Sequence, residues 1–179
     1  MPAAPGLRSP YDKAVDGLHP IGRLLNKIRL KLAGQLPEDL QRNHGLSVGL
    51  DGQLCGFLNV AFAEGEARVR EGGTDAEIVE WIFARGLRPN RTQTLVWNEH
   101  ARKLGWNDRI SSYLQKLKQE SGAGDVAAQT SFDLIEVSEG REPPLARGGL
   151  PHHLIQGAFH SAATGPGALS FRYAAHGQT

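Results

Sequence analysis

The stretch Ile21-Gly22-Arg23-Leu24-Leu25-Asn26-Lys27-Ile28-Arg29-Leu30-Lys31-Leu32 constrains this chain more than any other. Ile21, Leu24, Leu25, Ile28 and Leu32 recur at three- and four-residue spacings, the pattern of a helix with one buried stripe. Such a helix is stable only if other elements cover that stripe. Arg23, Lys27 and Lys31 follow at i, i+4 and i+8 and make a basic ridge along one flank. Leu30 falls nearly opposite the stripe, beside Arg23. The helix therefore either packs on two sides or shows solvent an apolar spot edged with positive charge.

The remaining punctuation is helical. His19-Pro20 restricts the backbone before this helix, and Gly34 supplies its C-terminal stop. Leu36-Pro37-Glu38-Asp39-Leu40 opens a short second helix, with proline and acids in the first turn. Asp51-Gly52 reads as a turn able to cap a helix through Cys55, Phe57 and Leu58. A short acidic helix follows over Ala63 to Arg70, ended by Gly72-Gly73. Thr74 and Glu77 have capping-box spacing and start a helix from Asp75 to Arg85, whose Ile78, Val79, Trp81, Ile82 and Phe83 place it deep in a core. Thr92 to Leu104 makes another helix, carrying Leu95, Val96, Trp97, Ala101 and Leu104. After Gly105, Asn107 can cap a helix bearing Ile110, Tyr113, Leu114 and Leu117. Phe132 to Val137 suits a helix or a strand, with helix preferred. The expectation is an all-α fold of five to seven helices forming one compact domain over residues 7–141.

From Glu142 the chain turns rich in Gly, Pro, Ala and His and poor in charge, so residues 142–179 read as a disordered tail with at most a short turn near His152 to Phe159. A chain of 179 residues can bury one core of ordinary size. No apolar run approaches the roughly 20 residues of a membrane span. The start lacks a signal-peptide pattern, and the lone Cys55 agrees with a reducing compartment; both point to the cytoplasm. Net charge is +1, yet the charges lie in blocks. Arg8 to Lys31 holds six cations against Asp12 and Asp16, and Arg85 to Lys118 eight against Glu99 and Asp108, whereas Glu38 to Glu80 holds nine acids against Arg42, Arg68 and Arg70. Either the blocks pair with one another, or the basic ones gather into a face for a polyanion.

Ser9-Pro10-Tyr11-Asp12-Lys13, the Ile21 to Leu30 helix, Leu36-Pro37-Glu38, Leu50-Asp51-Gly52, Phe57-Leu58, Trp97-Asn98 and Phe132-Asp133-Leu134-Ile135-Glu136-Val137-Ser138-Glu139-Gly140-Arg141 occur in a telling order. Over about residues 7–141 the chain resembles a small bacterial family known as a domain of unknown function, number five thousand and sixty-nine in its series. The resemblance implies a single helical domain and a bacterial cytosolic setting. It brings no reaction and no catalytic residues, and family members stop near the position of Arg141.

Three kinds of chemistry deserve comparison. Arg23, Lys27, Leu30 and Lys31 offer a basic helix face toward an acidic protein or a nucleic acid, which Arg88, Arg91, Arg102, Lys103 and Arg109 would extend. The plain alternative is a solvated helix flank. Cys55, with His44 or His19 as base and Asp51 nearby, offers a small catalytic or ligand pocket; the plain alternative is a buried thiol acting as a small hydrophobe. His100 suits a boundary position beside Trp97. His152, His153 and His160 could bind a divalent metal only loosely, and no HExxH or paired CxxC spacing, Walker loop, Rossmann fingerprint or GxSxG elbow is present, so no metal or cofactor is expected. The sequence thus favours a non-enzymatic interaction module using the basic face, ahead of a pocket around His44, Asp51 and Cys55.

Overall fold

The computed structural model of the chain describes residues 6–120 and 128–144. The expected tail falls outside the described residues apart from 142–144, as do its histidines, the turn at 152–159 and the 121–125 link. Eight helices and no strand occur among the described residues: α1 (Ile21–Leu32), α2 (Glu38–Gln41), α3 (Leu50–Leu58), α4 (Phe62–Arg70), α5 (Asp75–Arg85), α6 (Arg91–Lys103), α7 (Ser111–Glu120) and α8 (Ser131–Ser138). All eight belong to one unit that ends at Pro143. The count exceeds the expected five to seven, although each of the eight falls on a segment whose spacing suits a helix, because even the four-residue turn at Glu38 forms. No described helix is long and apolar enough to cross a membrane.

The core is built on α1. Ile21, Leu24, Leu25 and Ile28 are buried and join Leu54 and Leu58 of α3, Val69 of α4 and Ile78, Val79, Ile82 and Phe83 of α5. Trp97 and Ala101 of α6, Phe132 of α8 and the loop residues Val15, Leu18 and Val60 belong to the same cluster. α1 packs against α4, α4 against α3 and α5, and α6 against α8. Leu32 departs from expectation and is 40% exposed, because the stripe outruns the core in the last turn. There Gly34, at φ +70°, closes the helix: its N–H reaches Lys31 O while Gln35 N–H reaches Leu30 O, the two bonds of a Schellman stop.

The caps explain where several other helices begin. Thr74 accepts from Glu77 N–H and Glu77 returns a bond to the Thr74 N–H, as the spacing predicts. Asn90 with Gln93 does the same for α6 and Thr130 with Asp133 for α8. Two expectations need correction. Asp51-Gly52 lies inside the first turn of α3, with Gly49 as its cap. Asp108, not Asn107, ties down the start of α7 by accepting from Gly105 and Ile110 N–H and from the Ser111 hydroxyl.

Candidate functional site

The basic ridge of α1 turns inward. Arg23 and Lys27 are buried, with 5% and 6% exposure, because each is paired with a carboxylate brought from elsewhere. Arg23 forms a two-pronged pair with Glu139 just past α8 and also donates to Arg8 O at 2.7 Å. Arg141 bridges Glu139 to Glu136 and closes a four-membered network of two arginines and two glutamates. Burial of that many charges is tolerable only because each has an opposite partner. Lys27 pairs with Asp51 of α3. Lys31 remains largely exposed and sits 3.6 Å from Glu66, and Leu30 is half-buried. Arg23, Lys27, Leu30 and Lys31 therefore do not make one solvent-facing basic surface: the acids that neutralise two of them lie far away in sequence and could not be seen along the helix.

The charge blocks pair with one another. From the first basic block, Lys27 meets Asp51, Lys31 meets Glu66, and Arg8 and Arg29 clamp Asp75 at 2.8 and 2.5 Å. From the second, Arg85 meets Glu64 and Arg88 meets Glu80. The acidic middle of the chain is thus stitched to both ends. Gly22 permits one of these stitches, since a Cβ there would stand 2.7 Å from the Arg8 guanidinium lying across α1.

A second buried polar centre joins the N-terminal segment to α6 and α8. The Tyr11 hydroxyl donates to Asp133 at 2.6 Å, and burial together with that carboxylate pushes the phenol well above its usual range. The Tyr11 ring meets His19 and Phe132 edge-on. Asn98 accepts from His19 N–H and donates to Gly17 O, while the Trp97 indole donates to His19 O. His19 is held below the ordinary histidine range, chiefly by burial and then by Lys13. These contacts leave its neutral ring as a packed wedge rather than a base open to substrate.

The pocket residues come together only in part. The Asp51 carboxylate faces Lys27 and the Gly45 N–H, at 3.4 Å from the latter, and His44 Nε2 lies 3.4 Å from Glu66. Cys55, one turn beyond Asp51, instead lines a narrow apolar cavity with Leu24, Ile28, Leu58, Phe62 and Ile82. Burial, and secondarily Asp51, pushes its thiol up to about 11, the opposite of an activated nucleophile. No bond joins it to His44 or His19. Among the described residues, no three His, Cys, Asp or Glu side chains are placed to hold a metal.

Sequence reasoning passed over Trp106. It is 56% exposed at the rim of an open groove between the end of α6 and the turn before α7, lined also by Glu99, His100, Lys103, Leu104, Asp108 and Arg109. A tryptophan set in a polar, glycine-led turn was the available signal. Leu95 and Val96 are 61% and 64% exposed on the same helix, because α6 turns its Trp97–Ala101 side inward. His100 is exposed, touching Trp97 with a tilted ring, as a boundary position requires.

The residues that carry the resemblance are thus those that tie the helices together: Tyr11, Arg23, Asp51, Trp97, Asn98, Asp133, Glu136, Glu139 and Arg141. The family model described as "Domain of unknown function (DUF5069)" matches residues 4–141, and the chain belongs to that family. No curated protein matches it.

Proposed function

We propose that this DUF5069 member is a non-enzymatic interaction module that docks an acidic segment of a partner protein on the outer face of α6 and the Trp106 turn. The exposed indole of Trp106 beside an open groove carries the reading. Large apolar side chains left in water beside cations are the usual anchors of protein interfaces. Val96, His100 and Lys103 follow at i, i+4 and i+7 and lead along one face to that indole. Arg91 and Arg109 are exposed and face no carboxylate within ion-pair range among the described residues. Glu99 and Asp108 interrupt the positive charge, which suits a protein with a few acids better than a continuous polyphosphate. The raised thiol of Cys55 and the Lys27 partner of Asp51 weigh against the pocket as a catalytic centre. A reducing cytosolic setting goes with the unpaired Cys55.

The test is nuclear magnetic resonance mapping at low salt, with a glutamate-rich peptide and a single-stranded oligonucleotide titrated in parallel. The peptide should shift the Trp106 indole and His100 ring signals, and Trp106→Ala or Lys103→Glu should abolish the shifts. Stronger perturbation by the oligonucleotide would reassign the partner, and silence at these signals with both probes would sink the surface altogether.

A further inference from the structure

Between α2 and α3 the chain passes through His44 and Gly45, and this turn is held by a closed set of charges. Asp51 at the start of α3 faces both the Gly45 N–H and Lys27, and Glu66 of α4 faces both His44 Nε2 and Lys31. Lys27 and Lys31 stand one turn apart on α1, so the two carboxylates are each shared between a lysine and the turn. The His44 side chain is 1% exposed, and its Nδ1 has no hydrogen-bond partner. Its ring stands edge-on to Phe62 at 4.9 Å, and Gly45, at φ +70°, sits so close that a Cβ would be 2.6 Å from the Phe62 ring. Phe62 is also a wall of the apolar cavity that Cys55 lines.

We propose that the His44–Gly45 turn is a proton-released clip: with a neutral imidazole it stays seated on Glu66, Asp51 and Phe62, and on protonation it lets go and uncovers the Phe62 side of the cavity. Neutral His44 places its proton on Nε2, where Glu66 accepts it, and leaves Nδ1 as a bare lone pair. A second proton on Nδ1 would be a buried donor with no acceptor, beside two lysines. Glu66 and Asp51 pull the other way, but burial first and Lys31 next hold His44 below the ordinary histidine range, so the seated turn prefers the neutral ring. Releasing the turn gives both nitrogens water. Acid therefore favours the released form, on the side of neutrality where histidine switches operate. The clip is separate from the Trp106 surface and stands or falls without it.

Amide hydrogen exchange on the full chain, corrected for the intrinsic pH dependence of exchange, reads the clip directly through the Gly45 amide. From about pH 8 to about pH 5 its protection should fall, while amides in the middle of α5 keep theirs. Measured against the same thiol in the urea-unfolded chain at each pH, Cys55 should become faster to label with a dipyridyl disulfide, a reagent that works in acid, over the same interval. In His44→Gln, whose side-chain amide can donate to Glu66 without titrating, both changes should disappear. Unchanged Gly45 protection in the wild type, or the same fall in His44→Gln, overturns the proposal. The His44 ring signals give a further check in the wild type alone, since a midpoint at or above that of an unfolded histidine would mean that the proton tightens the turn, which also overturns it.

Discussion

Lys27 and Lys31 stand one helical turn apart with the same chemistry and opposite circumstances. Lys27 and its partner Asp51 expose 8% and 6% of their side chains, so removing the lysine strands a carboxylate out of water. Lys27→Ala should lower stability by about 3–5 kcal/mol in urea unfolding, and Lys27→Met with Asp51→Leu should recover most of that loss. Lys31, 45% exposed and loosely paired, should cost no more than about 1 kcal/mol as Lys31→Ala. Equal costs at the two positions would mean that the buried pair is solvated after all. Cys55 supplies a second check at this scale. With its thiol pushed up to about 11, alkylation at neutral pH should be far slower in the folded chain than in urea, whereas a fast folded-state reaction would revive the nucleophile.

Among the elements, what could be read in advance is what is encoded within a few residues. The stripe of α1 from Ile21 to Ile28, its Gly34 stop and the Thr74–Glu77 box each depend on neighbours in sequence, and each forms where the spacing places it. The face that α6 buries depends on what α8 and His19 offer, which is why Leu95 and Val96 point to water against their hydrophobicity. The same reason hid the sites: Arg23 looks like a surface charge until Glu139 arrives. Helix α8 is the test case, since it brings Asp133 and Glu136 and leads into Glu139. Thr130, 6% exposed, caps it through the Asp133 N–H at 3.2 Å. Thr130→Ala should cost about 1 kcal/mol, and Thr130→Ser, which keeps the hydroxyl, much less. Equal costs for the two would show that packing, not the cap, holds this end of the helix.

At the scale of the whole molecule, acid should unfold the chain in two stages, and the signs follow from which state binds protons more readily. His19 and His44 both titrate lower in the folded chain than in the unfolded one, burial being the main cause in each. Their contribution is therefore complete above the ordinary histidine value of about 6.5 and is lost as pH falls from there toward their lower folded values. The paired carboxylates Glu64 and Glu80 are also held low, by Arg85 and Arg88, and so lose their contribution only below the ordinary carboxylate range. Urea midpoints measured across pH should thus decline once below neutrality and again at stronger acidity, with a plateau between the two declines. Added salt should blunt the second decline, whose pairs are exposed, more than the first, whose histidines are buried. Replacing His19 and His44 together by Gln should remove the first decline and leave the second in place. A wild-type midpoint that stays level through the histidine range would show that neither ring is held neutral by the fold, and the packing around both would need another explanation.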